Sequence, residues 1–248
     1  ATCEITTPSS ITADEARMRL VQVMAALAAD AGMPGALVPA AAVLSCVVPA
    51  LERPWKAALS RTCTGRVLTV GPGLKTGMPV HYDDPAEIGP DRIADAVAAR
   101  AVYGSPCIVI DLGTTTNIEV IDAHGTFVGG VIAPGLALGA RSLSAAAARL
   151  PQVEPSAPTH VIGRNTREAM RSGVVLGEVA RIDGMLDMVL AEMRATKAAG
   201  EGDVPIVITG DDAEALAALV GHSLTVDDAL TLRGLAELYR INQKPRRA

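Results

Sequence analysis

Apolar positions recur along this chain with two different spacings, and the switches between them predict helices alternating with short strands. Ala1 to Thr7 alternates in the manner of a short strand. Thr12-Ala13-Asp14-Glu15 reads as a capping box, with Thr12 as N-cap and Glu15 reaching back, so a helix begins there. Met18, Val21, Met24, Ala25 and Ala28 follow at helical spacing, a stripe whose default meaning is core packing, and the helix stops near Gly32. Ala41 to Val48 is an apolar run that predicts a buried strand ended by Pro49. A helix over about Leu51 to Leu59 and a strand over Val67 to Val70 come next, then the loop Gly71 to Gly77.

A helix from about Asp91 to Tyr103 leads into the strand Cys107 to Asp111. Asn117 to Ile121 and Phe127 to Ile132 form a hairpin around the turn Ala123-His124-Gly125. Helices are predicted at about Leu136 to Leu150 and Thr166 to Arg194. A strand at Pro205 to Thr209 feeds a helix from about Ala213, Ser223 to Val226 reads as a last strand, and Leu230 to Ile241 as a closing helix. Hairpins mixed with βα units mean an α/β protein with mixed sheets flanked by helices. A boundary near Tyr103 to Pro106 divides it into two α/β halves, residues 1–105 and 106–248.

Composition narrows the class. Hydrophobic residues make up 49% of the chain but aromatics only 2%, so the core is built from Ala, Val, Leu and Ile, with Trp55 and Phe127 as isolated large fillers. A net charge of −5 argues against nucleic-acid and membrane-surface partners. The one basic run, Lys244-Pro245-Arg246-Arg247, reads as a frayed, solvated end. The apolar runs fall short of a membrane span. Cys3, Cys46, Cys63 and Cys107 show no metal-ligand spacing and predict free thiols in a reducing cytoplasm. His81, His124, His160 and His222 are scattered, which argues against a catalytic zinc. No charged-then-apolar leader opens the chain, and it starts at Ala1, so a processed start or a start partway into a longer protein is expected.

Two segments look like phosphate loops. In Gly71 to Gly77 a Lys-Thr pair is present, but Leu74 precedes the Lys and Met78-Pro79 follows, where a P-loop needs a Gly and then a helix. Asp111-Leu112-Gly113-Thr114-Thr115-Thr116 is the stronger candidate, because it follows an apolar strand and precedes a hairpin. Glycine lets backbone approach a phosphate, Thr hydroxyls and N–H groups donate to it, and an Asp at a strand end can hold a cation. A plain hairpin turn with Thr caps fits the same six residues. Upstream, Tyr82 to Arg92 is dense in polar groups. There Asp91 suits an N-cap, and Arg92 suits either a carboxylate clamp or a surface ion pair.

Several motifs then stand in a fixed order. Tyr82-Asp83-Asp84-Pro85, Gly89-Pro90-Asp91-Arg92 and Asp111-Leu112-Gly113-Thr114 are followed by Gly129-Gly130-Val131-Ile132-Ala133-Pro134-Gly135 and Leu150-Pro151. Ile162-Gly163-Arg164-Asn165-Thr166, Thr209-Gly210 and Leu230-Thr231-Leu232-Arg233-Gly234-Leu235 complete the series. In that order they resemble the type III pantothenate kinases, over about Val43 to Asn242 and more weakly from Ala1. The resemblance implies the two-half fold of actin, Hsp70 chaperones and sugar kinases. It also implies transfer of the ATP γ-phosphate to pantothenate, the first step of coenzyme A synthesis. On it, Asp91 is the general base, and Tyr82, Gly89, Arg92 and Thr166 line the pantothenate pocket. Gly113, Thr114 and Thr116 grip phosphate, Thr209 and Gly210 form the adenosine turn, and Asp111 stands near a monovalent cation, K⁺ or NH₄⁺, with Mg²⁺ accompanying ATP. A homodimer is the family's assembly.

The family also opens with a second phosphate turn, Asp-x-Gly-Asn-Thr, which this chain lacks. Ala1 to Thr7 aligns best with a later strand, so a strand-turn-strand is expected upstream. Asp211 replaces the usual second Gly of the adenosine turn, and Pro90 replaces a commoner Ala, which a helix start tolerates. Two readings follow: a pantothenate kinase, or a catalytically silent relative that binds pantothenate or nucleotide as an accessory or regulatory protein.

Overall fold

The first helix, α1 (Ala13–Asp30), starts where expected, because Thr12 and Glu15 satisfy each other's orphan groups. The Thr12 N–H donates to Glu15 Oε2 at 2.8 Å and the Glu15 N–H to Thr12 Oγ1 at 3.3 Å. The computed structural model describes residues 2–35 and 37–243, so the basic run Lys244 to Arg247 lies outside the described residues. Two compact units emerge. One holds the residues up to Thr76, Ala86–Ala94 and those from Leu235 on; the other holds Gly77–Pro85 and Asp95–Gly234.

In the first unit α1 packs along α2 (Pro49–Thr62), and Arg61 pairs with Asp14 at 2.8 Å. Strands β1 (Ala42–Leu44) and β2 (Val67–Thr69) pair in parallel, with Val43 opposite Leu68. A parallel pair needs a crossover, and α2 supplies it. Three expectations change here. Residues 2–7 form no strand and are exposed, since alternation without a neighbouring strand leaves the backbone to water. The strand at 41–48 shortens to three residues because Pro49 already begins α2, leaving Val47 and Val48 exposed. On α1, Met18 and Val21 of the predicted stripe are exposed while its Ala28 is buried, as is Ala16 outside it, so small residues make the close packing.

Helix α3 (Pro90–Tyr103) follows a single 3-10 turn at Pro85–Glu87. Residues 103–106, where the boundary was placed, join it to β3 (Cys107–Leu112), and both flanks lie in the second unit. That unit is built on a five-stranded sheet of order β5-β4-β3-β6-β7, with β4 (Thr115–Ile121), β5 (Phe127–Pro134), β6 (Ile206–Gly210) and β7 (Thr225–Val226). β3 pairs antiparallel with β4 and parallel with β6. Cys107 to Ile110 are wholly buried, as the unbroken apolar run of a central strand requires.

The other helices of this unit are α4 (Leu136–Ala146), α5 (Thr166–Arg171), α6 (Gly177–Ala195) and α7 (Ala213–Ala217). A π-helical turn, Ser172–Leu176, joins α5 to α6. Ile108, Ile110, Leu112, Ile118 and Val120 form one face of the sheet, packed against Val179, Ile182 and Leu186 of α6 and Leu216 of α7. Phe127 is fully buried, whereas Trp55 is half-buried. The closing helix α8 (Leu230–Ile241) ends beside Asn242, whose side chain donates to the Lys75 carbonyl at 2.8 Å and accepts from its N–H at 3.2 Å. No helix among the described residues is long and apolar enough to cross a membrane.

Candidate active site

The ladder register sorts the polar residues of the second unit onto the two faces of its sheet. Asp111, at the end of β3, stands opposite Asn117 on β4 and Thr209 on β6, so these three side chains share one face. Asn117 and Thr209 are buried and Asp111 is half-buried. The chain then turns sharply, the Gly113 N–H donating to the Thr115 carbonyl at 3.0 Å, with Thr114 exposed at the tip. A carboxylate, an amide and a hydroxyl on one face are oxygen donors suited to a hard cation. Among the described residues no group of three or more His, Cys, Asp or Glu gathers to hold a metal.

Two glycines bring other strand ends against this turn. Gly135 joins β5 to α4, and its N–H donates to the Thr114 carbonyl at 3.0 Å. A Cβ at Gly135 would overlap the Gly113 carbonyl oxygen and stand 2.8 Å from that of Thr114. Its φ of −73° is open to any residue, so space alone demands glycine. Gly210 ends β6 with φ +89°, and a Cβ there would overlap the Leu112 carbonyl oxygen and stand 2.8 Å from Asp111 Oδ1. The Asp211 N–H donates to that Leu112 carbonyl at 2.6 Å. The ends of β3, β5 and β6 thus meet backbone to backbone. Gly135 caps α4 without a side-chain hydrogen bond, so the first-turn N–H groups of an eleven-residue helix carry no side-chain cap beside the turn. Beyond Gly210 the helix is only five residues long, and Asp212 precedes it in the left-handed region at φ +57°.

Thr116 belongs to the opposite face. It stands in register with Leu112, and its hydroxyl donates to Glu178 Oε1 at 2.6 Å, on the side covered by α6. Glu178 also accepts from Arg181, whose guanidinium donates to the Pro134 carbonyl at 2.5 Å. Sequence reasoning missed this network. The available signal is a carboxylate at helical spacing between Val175 and Ile182, on an apolar stripe.

Tyr82 is fastened within the second unit. Val80 bridges to Phe127, the His81 N–H donates to the Phe127 carbonyl at 2.8 Å, and the Tyr82 and Phe127 rings lie 6.1 Å apart. Gly89, Asp91 and Arg92 belong to the first unit. Because α3 starts at Pro90, Asp91 stands in its first turn rather than at its cap. Asp91 Oδ1 accepts the Arg92 N–H at 2.9 Å and fills the space that a Cβ on Gly89 would need. Arg92 is 5% exposed, which removes the surface-ion-pair alternative.

Thr166 is the exposed first residue of α5. Asn165 caps that helix by accepting the Glu168 N–H at 3.0 Å, and Glu168 accepts the Arg164 N–H at 2.9 Å. The Arg164 N–H and the Asn165 side chain hold the Glu168 carboxyl below the usual range.

Comparison with known proteins adds the family. Residues 1–188 match the family described as type III pantothenate kinase. A type III pantothenate kinase of Koribacter versatilis is 42% identical over 201 residues, covering 81% of this chain and 71% of that one. Type III pantothenate kinase 2 of Symbiobacterium thermophilum is 39% identical over 242 residues, covering 96% and 87%. Among solved structures, an inorganic polyphosphate/ATP-glucomannokinase from Arthrobacter sp. strain KM aligns over 96% of this chain and 87% of that one, with 12% identity and a TM-score of 0.42.

Proposed function

The chain belongs to the type III pantothenate kinase family, and from that premise we propose that it transfers the γ-phosphate of ATP to the primary hydroxyl of pantothenate. The observation that carries the reading is the close approach of Gly135 to the Gly113 and Thr114 carbonyls and of Gly210 to the Leu112 carbonyl, which sets the ends of β5 and β6 against the β3–β4 turn because neither glycine bears a Cβ.

In this reading the exposed Thr114, which Gly113 lets a phosphate approach, and the N-terminal end of α4 donate to the phosphates. Thr209 and Gly210 receive the adenosine side. Thr116 supports the turn from the opposite face. Asp111 is the group for a monovalent cation, with Asn117 and Thr209 beside it offering further oxygen donors. Mg²⁺ bound with ATP supplies neutralisation of the charge that develops on the phosphoryl group.

Asp91 accepts the proton of the pantothenate hydroxyl as the oxygen attacks phosphorus and the β–γ bridging bond breaks, releasing ADP. Arg92, with a planar guanidinium, pairs with the substrate carboxylate. The family resemblance assigns Tyr82, Gly89 and Thr166 to pantothenate binding as well, and a second copy of the chain as partner.

The test is ATP-dependent phosphorylation of pantothenate by the full-length protein with Mg²⁺ and K⁺, beside Asp91→Asn. Turnover that falls about 10²–10⁴-fold in the variant is the expected result. Binding of both substrates with no turnover in the wild type would overturn the kinase reading and leave a silent binding protein.

A further inference from the structure

Glu178 is a carboxylate only 5% exposed on the apolar side of the sheet, and none of the chemistry above uses it. We propose that Glu178 and Arg181 are positioning residues that hold the β3–β4 turn and the start of α4 at the spacing a nucleotide's phosphates require. The inference rests on the kinase reading of that turn.

Their hydrogen bonds converge on the last two rungs of one ladder. Thr115 stands opposite Pro134 at the end of the β4–β5 pairing, and beyond that rung the Gly135 N–H donates to the Thr114 carbonyl. Glu178 holds β4 one rung further in, where Thr116 stands opposite Ala133, through the Thr116 hydroxyl at 2.6 Å. Arg181 holds the β5 side through the Pro134 carbonyl at 2.5 Å, and the two side chains are paired with each other. One carboxylate and one guanidinium therefore span the gap across which Gly113 and Gly135 make their contact.

Stability alone gives little reason for charges here. The surroundings are Ile118, Val131, Ile182 and Met185, among which an apolar pair of similar volume would pack at no net cost, whereas burying a carboxylate carries a desolvation penalty. What the polar pair adds is direction, since hydrogen bonds of defined length set the spacing of the two backbones. Neither side chain reaches the face that carries Asp111, Asn117 and Thr209, so both act through the backbone and not on the reacting atoms.

The experiment compares wild type, Glu178→Gln and Arg181→Lys as full-length proteins. It measures the Kd for Mg·ATP by calorimetry, both KM values and the melting temperature. Glu178→Gln keeps the shape and the acceptor for Thr116 but loses the charge; Arg181→Lys keeps the charge but loses the fork. Each variant should raise the Kd and KM for ATP roughly tenfold, since an ångström-scale misplacement weakens oriented contacts. The KM for pantothenate should stay within about twofold. Unchanged ATP affinity in both variants, whether or not the melting temperature falls, overturns the proposal, as does an equal rise in both KM values. If Glu178→Gln does not fold, Arg181→Lys decides, because that side chain is 33% exposed and its replacement leaves the core filled. A wild type that binds ATP without phosphorylating pantothenate overturns the kinase reading while the Kd comparison still judges this one; a wild type that does not bind ATP overturns both.

Discussion

Three glycine-to-alanine substitutions separate the two physical reasons a glycine can be required. At Gly210 both apply: φ is +89°, and a Cβ would overlap the Leu112 carbonyl oxygen. The left-handed conformation costs alanine about 1–2 kcal/mol, and forcing extra atoms into a filled site costs about 1–3 kcal/mol more. At Gly135 only the second applies, because φ is −73° while the obstacles are backbone carbonyls that no rotamer change can move. Gly139 lies inside α4 with nothing within 4 Å of a new Cβ, so alanine there gains roughly 0.5–1 kcal/mol from helix propensity.

Thermal unfolding orders the three, since 1 kcal/mol shifts Tm by about 2–4 °C in a chain of this size. Gly210→Ala should fall furthest, Gly135→Ala less, and Gly139→Ala should rise slightly. ATP affinity should drop at least about tenfold in the first two and stay at the wild-type value in the third. Gly135→Ala melting level with Gly139→Ala would refute the reasoning, because the close approach of Gly135 to Gly113 would then exert no force.

Other consequences follow from burial and pairing. Cys107 is wholly buried, and burial pushes its thiol up to about 12, so alkylation at pH 8 should label exposed Cys3 in the native protein and reach Cys107 only after unfolding. Peptide mapping checks this, and native labelling of Cys107 at the rate of Cys3 would contradict it. Burial raises the Asp183 carboxyl, but the His222 side chain at 2.9 Å and the Gly221 N–H outweigh it and hold the group below its ordinary value. A folded-state value below the unfolded one, about 3.9, contributes stability above that pH and loses it as pH falls through the folded value. Asp183→Asn should therefore be less stable than wild type near pH 6, with the gap closing as pH falls below the unfolded value and through the folded one; a gap of constant size across that range is the contrary result.

Much of the local structure was legible because its causes are local. Thr12 and Glu15 lie three residues apart and cap α1 whatever surrounds them. Pro49 and Pro90 start helices because a fixed φ and a missing N–H suit a first turn. The apolar run Cys107 to Ile110 reads as a strand and is one, and the turn after it follows at Gly113 and Thr114. The misses share one character. Ala1 to Thr7 has a strand's alternation, but residues 2–7 pair with no strand among the described residues. Met18 and Val21 stand in the predicted stripe with Ala28, yet of the three only Ala28 is buried, and the helix packs through it and Ala16.

Thr116 shows the limit most plainly. The string Gly-Thr-Thr-Thr offers three hydroxyls to a phosphate, but strand alternation sends Thr116 to the α6 face, where Glu178 takes it. Gly135 and Gly210 were visible as motif letters, and neither shows in sequence that it touches the turn after β3. The chain alone determined most of its helices and strands, the turn after β3 and its family, since caps, periods and ordered motifs are written within a few residues of one another. Only the tertiary structure decided which face each side chain occupies and which backbones meet, because those distances are set by pairing and packing between segments far apart in the chain, where no local propensity reaches.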